Sequence, residues 1–227
     1  IIEHPDIQRT LAMMRAKIAA SRAICFATAV AADLSEHAED EEERAVAKRR
    51  EELLTPIAKA WSTDIGVEVS SMGIQIHGGM GFIEETGAAQ HFRDARIAPI
   101  YEGTNAIQAM DLAGRKLSMA GGAAFEELFV DIEQTIESCS TSSHPDLPPL
   151  AERLEDGLDA LKEAAGWLKT SDPADRLSGA SPFLTLAGEV IGGWMLCLGA
   201  VAVRRRQKEN IGDPKFAAER IALANFY

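Results

Sequence analysis

Cysteine and basic charge are both scarce in this chain, and each shortage removes a class of function. Three cysteines among 227 residues (Cys25, Cys139 and Cys197) are too scattered, and odd in number, for a disulfide framework or a cysteine zinc site. They fit a reducing compartment, so a cytoplasmic protein is expected. Lys and Arg total 23 against 35 Asp and Glu, a formal net charge of −12. That balance argues against nucleic acid or an anionic membrane surface as the main partner. No stretch sustains the period-2 alternation of a half-buried strand, so an all-α fold is expected. A dinucleotide fingerprint after a strand is missing too, as is any Ser-His-Asp or Cys-His arrangement. The chain opens on Ile1-Ile2-Glu3, with no initiator methionine and no signal peptide. It stops at Asn225-Phe226-Tyr227 inside a helical pattern, so a piece of a longer protein is expected.

What is present is enough for a real core. Apolar residues make up 46% and charged residues 26%, ordinary for a soluble globular protein. From Pro5 to about Leu34, Ile7, Leu11, Met14, Ile18 and Cys25/Phe26 fall at helical spacing, with Pro5 suited to a first turn. The acidic-then-basic run from Glu36 to Glu52 reads as a solvated loop or helix end rather than a binding patch. Thr55-Pro56 reads as the cap and first residue of a second helix, whose apolar face is Trp61, Ile65, Val69, Met72 and Ile76. A short helix is expected from Thr86 to about Arg96, ended by Pro99. A further helix is opened by the capping-box spacing of Asn105 and Gln108 and buries Ile107, Met110, Gly114 and Leu117.

Gly121-Gly122 marks the expected domain boundary, separating residues 1–119 from 120–227. Beyond it, helices are expected from Ala123 to Ser138 and from Leu150 to Leu168, with Asp172-Pro173 and Asp213-Pro214 opening two more. Phe183–Val203 is a 21-residue apolar run followed by three arginines, long enough to span a bilayer. Glu189 within it would cost about 2.5–3.5 kcal/mol at a membrane centre. Gly188, Gly192, Gly193 and Gly199 suggest close helix packing instead. A buried bundle or oligomer-interface helix is therefore expected, and no membrane span.

The chemistry concentrates between Gly73 and Leu117. Glu102 lies in a turn between Tyr101 and Gly103, just before a helix. A turn glutamate is most often simply solvated. Here Ile100 and Tyr101 supply apolar surroundings of the kind that suit a carboxylate to proton abstraction. Gly103 admits a ligand to the backbone, and the helix start at Thr104/Asn105 offers free N–H groups to an oxygen. Glu102 is thus a candidate general base, with the substrate left open. Gly78-Gly79-Met80-Gly81 is by itself a helix C-terminus. Gln75, polar at the end of an apolar helix, mildly favours a ligand contact. His77 reads as a packed or capping histidine rather than a metal ligand, because no second ligand lies at helical spacing; no metal site is expected. Arg93, Asp94 and Arg96 read as a structural ion-pair set anchoring the turn.

Three segments in order (Gln75-Ile76-His77-Gly78-Gly79-Met80-Gly81-Phe82, then Arg93-Asp94-Ala95-Arg96, then Ile100-Tyr101-Glu102-Gly103-Thr104) resemble the C-terminal domain of flavin-dependent acyl-CoA dehydrogenases. The resemblance covers roughly residues 1–117. The tail after Gly121 is similar to the extension of the subgroup that contains the 3-(methylthio)propanoyl-CoA dehydrogenases. The resemblance implies a C-terminal four-helix up-and-down bundle followed by a helical extension, with an N-terminal helical domain and a middle β-domain lying outside this chain. It implies FAD as cofactor, an acyl-CoA as substrate in fatty acid metabolism, electron-transfer flavoprotein as electron acceptor and a homo-oligomer. Glu102 then takes the α-proton of the thioester while the β-hydrogen leaves as hydride to the flavin, and the Glu102 N–H helps polarise the thioester carbonyl. Gln75, Ile76, His77, Gly78 and Gly79 match the stretch that reaches the FAD of a neighbouring subunit. Thr104 matches a turn on the flavin's pyrophosphate side. Pro5 stands where a glutamine is often found, and Ala106 lacks a polar side chain that several relatives carry. An acyl-CoA oxidase and a non-catalytic helical interaction module are the alternatives. Without the other domains, the chain is expected to bind FAD poorly and to be inactive.

Overall fold

Helix α1 (Pro5–His37) begins with Pro5 at its first turn, where a missing N–H costs nothing, after an extended His4. Three residues later α2 (Glu41–Ile76) starts at Asp40, whose carboxylate accepts from the Glu42 N–H at 3.0 Å. The two run antiparallel: Lys17 meets Glu68, Cys25 meets Ser62 and Ser35 meets Glu51. The computed structural model describes all residues 1–227, which form helices and turns with no strand. The all-α expectation holds.

The start of α2 departs from expectation. Thr55-Pro56 opens nothing, because Pro56 lies buried inside a 36-residue helix. An interior proline costs about 3 kcal/mol. Leu53, Leu54 and Ile57 around it are 0–1% exposed, and burying such side chains gains about 1.5–3 kcal/mol each. Packing therefore outweighs propensity. The Thr55 hydroxyl, rather than capping, donates to the Glu51 carbonyl at 2.7 Å. Nor is the charged run merely solvated. Glu41, Glu42 and Glu43 fill the first turn of α2, where negative charge suits the helix dipole. Further along, Arg49 pairs with Glu127, Arg50 with Asp131 and Glu52 with Lys116.

After α2 come α3 (Gly79–Phe82), a tight turn at Glu84–Thr86, α4 (Ala88–Ala95) and α5 (Asn105–Asp111), which continues as a wider turn over Leu112–Lys116. Thr104, not Asn105, stands at the N-cap position of α5, with no capping bond from its side chain. Its buried residues are Ala109, Leu112 and Ala113, with Leu117 beyond, whereas Ile107 and Met110 stand 54% and 41% exposed. Small alanines bring α5 close to α2 and α8, and Ile107 and Met110 turn outward.

Helices α6 (Ala123–Ser140), α7 (Pro148–Thr170), α8 (Pro173–Lys208) and α9 (Pro214–Phe226) complete the chain. Asp172 caps α8 through the Ala174 and Asp175 N–H groups, and Asp213 caps α9 through that of Lys215. The expected apolar face of α7 (Leu154, Leu158, Leu161, Ala165, Leu168) is buried throughout. Helix α8 carries the apolar run and packs on α1, α2, α5, α6, α7 and α9. Both α1 and α8 are long and apolar enough to cross a membrane by length and composition. The glycines of α8 explain part of its packing. A Cβ on Gly188 would lie 2.2 Å from Trp61, and one on Gly192 would lie 3.1 Å from the Ala20 Cβ. Gly199, expected to pack closely, faces open space. One hydrophobic core of 37 residues runs from Ala20 to Ala224.

Candidate active site

The turn that carries Glu102 is strained and then fastened. Glu102 and Gly103 both adopt left-handed backbone, at φ 52° and 83°. Glycine does this freely, but for a residue with a Cβ it costs about 1–2 kcal/mol. The loop closes on itself where the Asn105 N–H donates to the Pro99 carbonyl at 3.0 Å. It is then tied to the middle of α2. The Asn105 side-chain nitrogen donates to the Ala60 carbonyl (3.0 Å) and reaches Thr63 Oγ1 (3.0 Å) and Asp64 Oδ1 (2.8 Å). Lys59 Nζ donates both to the Gly103 carbonyl and to Asn105 Oδ1, each at 2.8 Å. Because Ala60 and Trp61 are buried in the core, this stretch of α2 is a rigid mount. Glu102 itself is exposed, so a fixed backbone presents a free carboxylate.

The second group of candidates lies elsewhere. Gln75, His77, Gly78 and Gly79 are exposed and Ile76 is half-buried at the C-terminal end of α2. With 1.5 Å rise per residue, that end lies on the order of 20 Å along the axis from the Lys59–Asp64 mount. The structure does not bring these residues together with Glu102; one helix carries two separate half-sites. His77 caps the helix end, Nδ1 donating to the Gly73 carbonyl at 2.7 Å. Gly78 takes φ 62°, and a Cβ on Gly78 or Gly79 would meet nothing within 4 Å, so the backbone there faces open space. Gly81 is required for a different reason: a Cβ would lie 2.2 Å from the Ile74 carbonyl oxygen. Thr104 is exposed and its hydroxyl makes no capping bond.

The ion-pair set expected from Arg93, Asp94 and Arg96 does not form within itself. Arg93 instead pairs with Glu84 at 3.0 Å across the α3–α4 corner. That solvated pair is worth little, and the turn is held by Asn105 and Lys59. Sequence reasoning missed both anchors, since their partners lie 41 to 46 residues away. Around the two half-sites, large apolar side chains are left uncovered. Phe82 is 82% exposed, and Met80, Ile97, Ile100 and Tyr101 are all more than half exposed. Apolar exposure on this scale marks an interaction surface.

Comparison with known proteins assigns this architecture. Residues 1–117 match the family model described as acyl-CoA dehydrogenase, C-terminal domain. Residues 128–227 match the one described as acetyl-CoA dehydrogenase C-terminal like. The chain belongs to the acyl-CoA dehydrogenase family. Over its whole length it is 44% identical to 3-methylmercaptopropionyl-CoA dehydrogenase of Ruegeria pomeroyi, of which it covers 39%. It is 30% identical, again over its whole length, to a butyryl-CoA dehydrogenase of Syntrophomonas wolfei, of which it covers 38%. Among solved structures, it resembles Caenorhabditis elegans ACDH-11 in complex with C11-CoA with a TM-score of 0.77 and 25% identity. That likeness covers 98% of this chain and 35% of the other. The chain thus spans about two-fifths of the length of the curated relatives it matches.

Proposed function

We propose that the protein to which this chain belongs is an FAD-dependent acyl-CoA dehydrogenase in which Glu102 removes the α-proton of the thioester. The observation that carries this is the turn itself: an exposed carboxylate on left-handed backbone, anchored to a buried stretch of helix. A general base must be held still relative to the C–H it attacks, and misplacement by about 1 Å can cost on the order of 100-fold in rate. Glu102 accepts the α-proton on a carboxylate oxygen. The backbone N–H of the same residue would donate to the thioester carbonyl, which would stabilise the negative charge that develops as the proton leaves.

The residues present fit the cofactor. Gln75, Ile76, His77, Gly78 and Gly79 would hold the FAD of a neighbouring subunit, where two glycines leave the backbone open. Thr104, with an unused hydroxyl, would meet the pyrophosphate side of a second one. When bound, FAD supplies the acceptor for the β-hydrogen as hydride. A homo-oligomer goes with that reading, because Gln75 to Gly79 would serve the flavin of a neighbouring subunit. Electron-transfer flavoprotein is the proposed electron acceptor, in the cytoplasm. The uncovered apolar surface around Phe82 and Tyr101 is where other domains and a second subunit would sit.

The test uses the full-length protein mixed anaerobically with short-chain acyl-CoA thioesters, 3-methylmercaptopropionyl-CoA included. The unaltered protein is expected to lose its oxidised-flavin absorbance, and Glu102→Gln to bind thioester with flavin reduction slowed at least 1000-fold, on the scale of losing a principal catalytic group. Equal reduction by both would remove Glu102 from the mechanism. No reduction by either would leave a non-catalytic module, and rapid oxygen uptake by the reduced protein would make it an oxidase.

A further inference from the structure

We propose that Lys59, on α2, is a positioning residue for Glu102, a role that rests on the reading of Glu102 as the base. The Glu102–Gly103 pair sits in two successive left-handed conformations, which a glutamate does not adopt by preference. Something outside the pair must therefore hold it. On the entry side the loop bonds only within residues 97–105: the Ile100 and Tyr101 N–H groups donate to the Ile97 carbonyl at 3.0 and 3.1 Å, and the Asn105 N–H to the Pro99 carbonyl at 3.0 Å. On the exit side Lys59 supplies the constraint, its ammonium bridging the Gly103 carbonyl and Asn105 Oδ1 at 2.8 Å each.

The geometry gives that bridge its effect. Grasping the Gly103 carbonyl fixes the peptide plane that follows the two left-handed residues. Grasping Asn105 Oδ1 ties the same plane to a side chain already bonded to Ala60, Thr63 and Asp64. The bonds from Lys59 are charge-assisted, and so about twice as strong as neutral ones. Their base is secure, because Ile57, Ala60 and Trp61 beside Lys59 are 0–2% exposed. Without the ammonium, Asn105 still holds the start of α5, but the Gly103 carbonyl is released. Glu102 can then relax towards negative φ, which swings its carboxylate away from the substrate without unfolding anything.

The experiment compares Lys59→Met and Lys59→Arg with the unaltered and Glu102→Gln full-length proteins by anaerobic stopped-flow flavin reduction. For Lys59→Met the rate of reduction at saturating thioester is expected to fall about 10- to 100-fold, with thioester affinity unchanged within about 2-fold. Lys59→Arg, whose guanidinium can span both acceptors, is expected to recover most of the rate. Amide hydrogen exchange over residues 101–105 is expected to quicken in Lys59→Met alone. An unchanged rate in Lys59→Met, in a protein that Glu102→Gln inactivates, would overturn the role of Lys59 and leave the base assignment standing. Loss of bound flavin or of thermal stability along with the rate would also overturn it, by making Lys59 a general support of the fold. An active Glu102→Gln protein would instead sink the reading on which the proposal rests.

Discussion

Replacing Gly188 by alanine should loosen the contact on which α8 seats against α2. A Cβ at that position would lie 2.2 Å from Cγ of Trp61, 2.3 Å from its Cδ1 and 2.8 Å from its Cβ. Carbon atoms in contact ordinarily stand about 3.5 Å apart or more, so the overlap is about 1.3 Å. These atoms belong to the root of the indole, not to a flexible tip, and Trp61 is 2% exposed in the core. The overlap is relieved only by moving one helix away from the other. Overpacking of this kind costs about 3 kcal/mol at the upper end of its usual range. Alanine's better helix propensity returns up to about 1 kcal/mol, which leaves a loss of about 2 kcal/mol. For a chain of this size that lowers the thermal midpoint by roughly 4–8 °C. Gly199→Ala, on the same helix, is the control: its Cβ would meet nothing within 4 Å. The propensity gain of about 0.5–1 kcal/mol should then appear as a rise in midpoint. Far-ultraviolet circular dichroism of the two variants against the parent reads both effects. A Gly188→Ala chain as stable as Gly199→Ala would refute the close approach.

Two further substitutions probe polar groups inside the fold. Lys116 is nearly fully buried, and its ammonium, 3.0 Å from Glu52, holds that carboxyl below the usual carboxylate range. A depressed folded-state pKa stabilises the fold above the unfolded value near 4.3, and the stability is lost as pH falls through the folded value. Urea midpoints measured from pH 7 down to about pH 3 should therefore fall more steeply below about pH 4 in the parent than in Glu52→Gln; identical slopes would contradict the pairing. Trp194 Nε1 donates to Thr135 Oγ1 at 2.8 Å in a buried contact. Thr135→Val, nearly isosteric, should cost about 1–3 kcal/mol by stranding the indole N–H. Urea titration read by tryptophan fluorescence measures it, and no loss would show that the bond contributes little.

Local chemistry was readable where local chemistry decides. Pro5, Asp172-Pro173 and Asp213-Pro214 announce helix starts because cap and first-turn preferences act within a few residues. The stripe of α7 is legible because its whole apolar face is buried by its own neighbours. Thr55-Pro56 carries the same local signal as those true starts and misleads, because Leu53, Leu54 and Ile57 are buried on both sides of it and hold the helix through the proline. Ile107 and Met110 have core periodicity and yet stand exposed, since period identifies a face that will be covered without saying by what. At the site, Glu102 and the glycine cluster stand out in the sequence. Asn105 and Lys59 do not, because an ordinary polar residue becomes an anchor only through partners brought in by folding. Likewise, the left-handed φ of Glu102 has no signature in the letters Tyr-Glu-Gly.

Solvent exchange at the α-carbon of the thioester reads the proposed role of Glu102 as the base directly. The full-length protein and its Glu102→Gln variant would be incubated with an acyl-CoA thioester in deuterium oxide, and deuterium at the α-carbon followed by mass spectrometry. Deuterium should enter at the α-carbon with the unaltered protein, and at the uncatalysed rate with Glu102→Gln. Incorporation by the variant as fast as by the parent would contradict the assignment of Glu102 as the base.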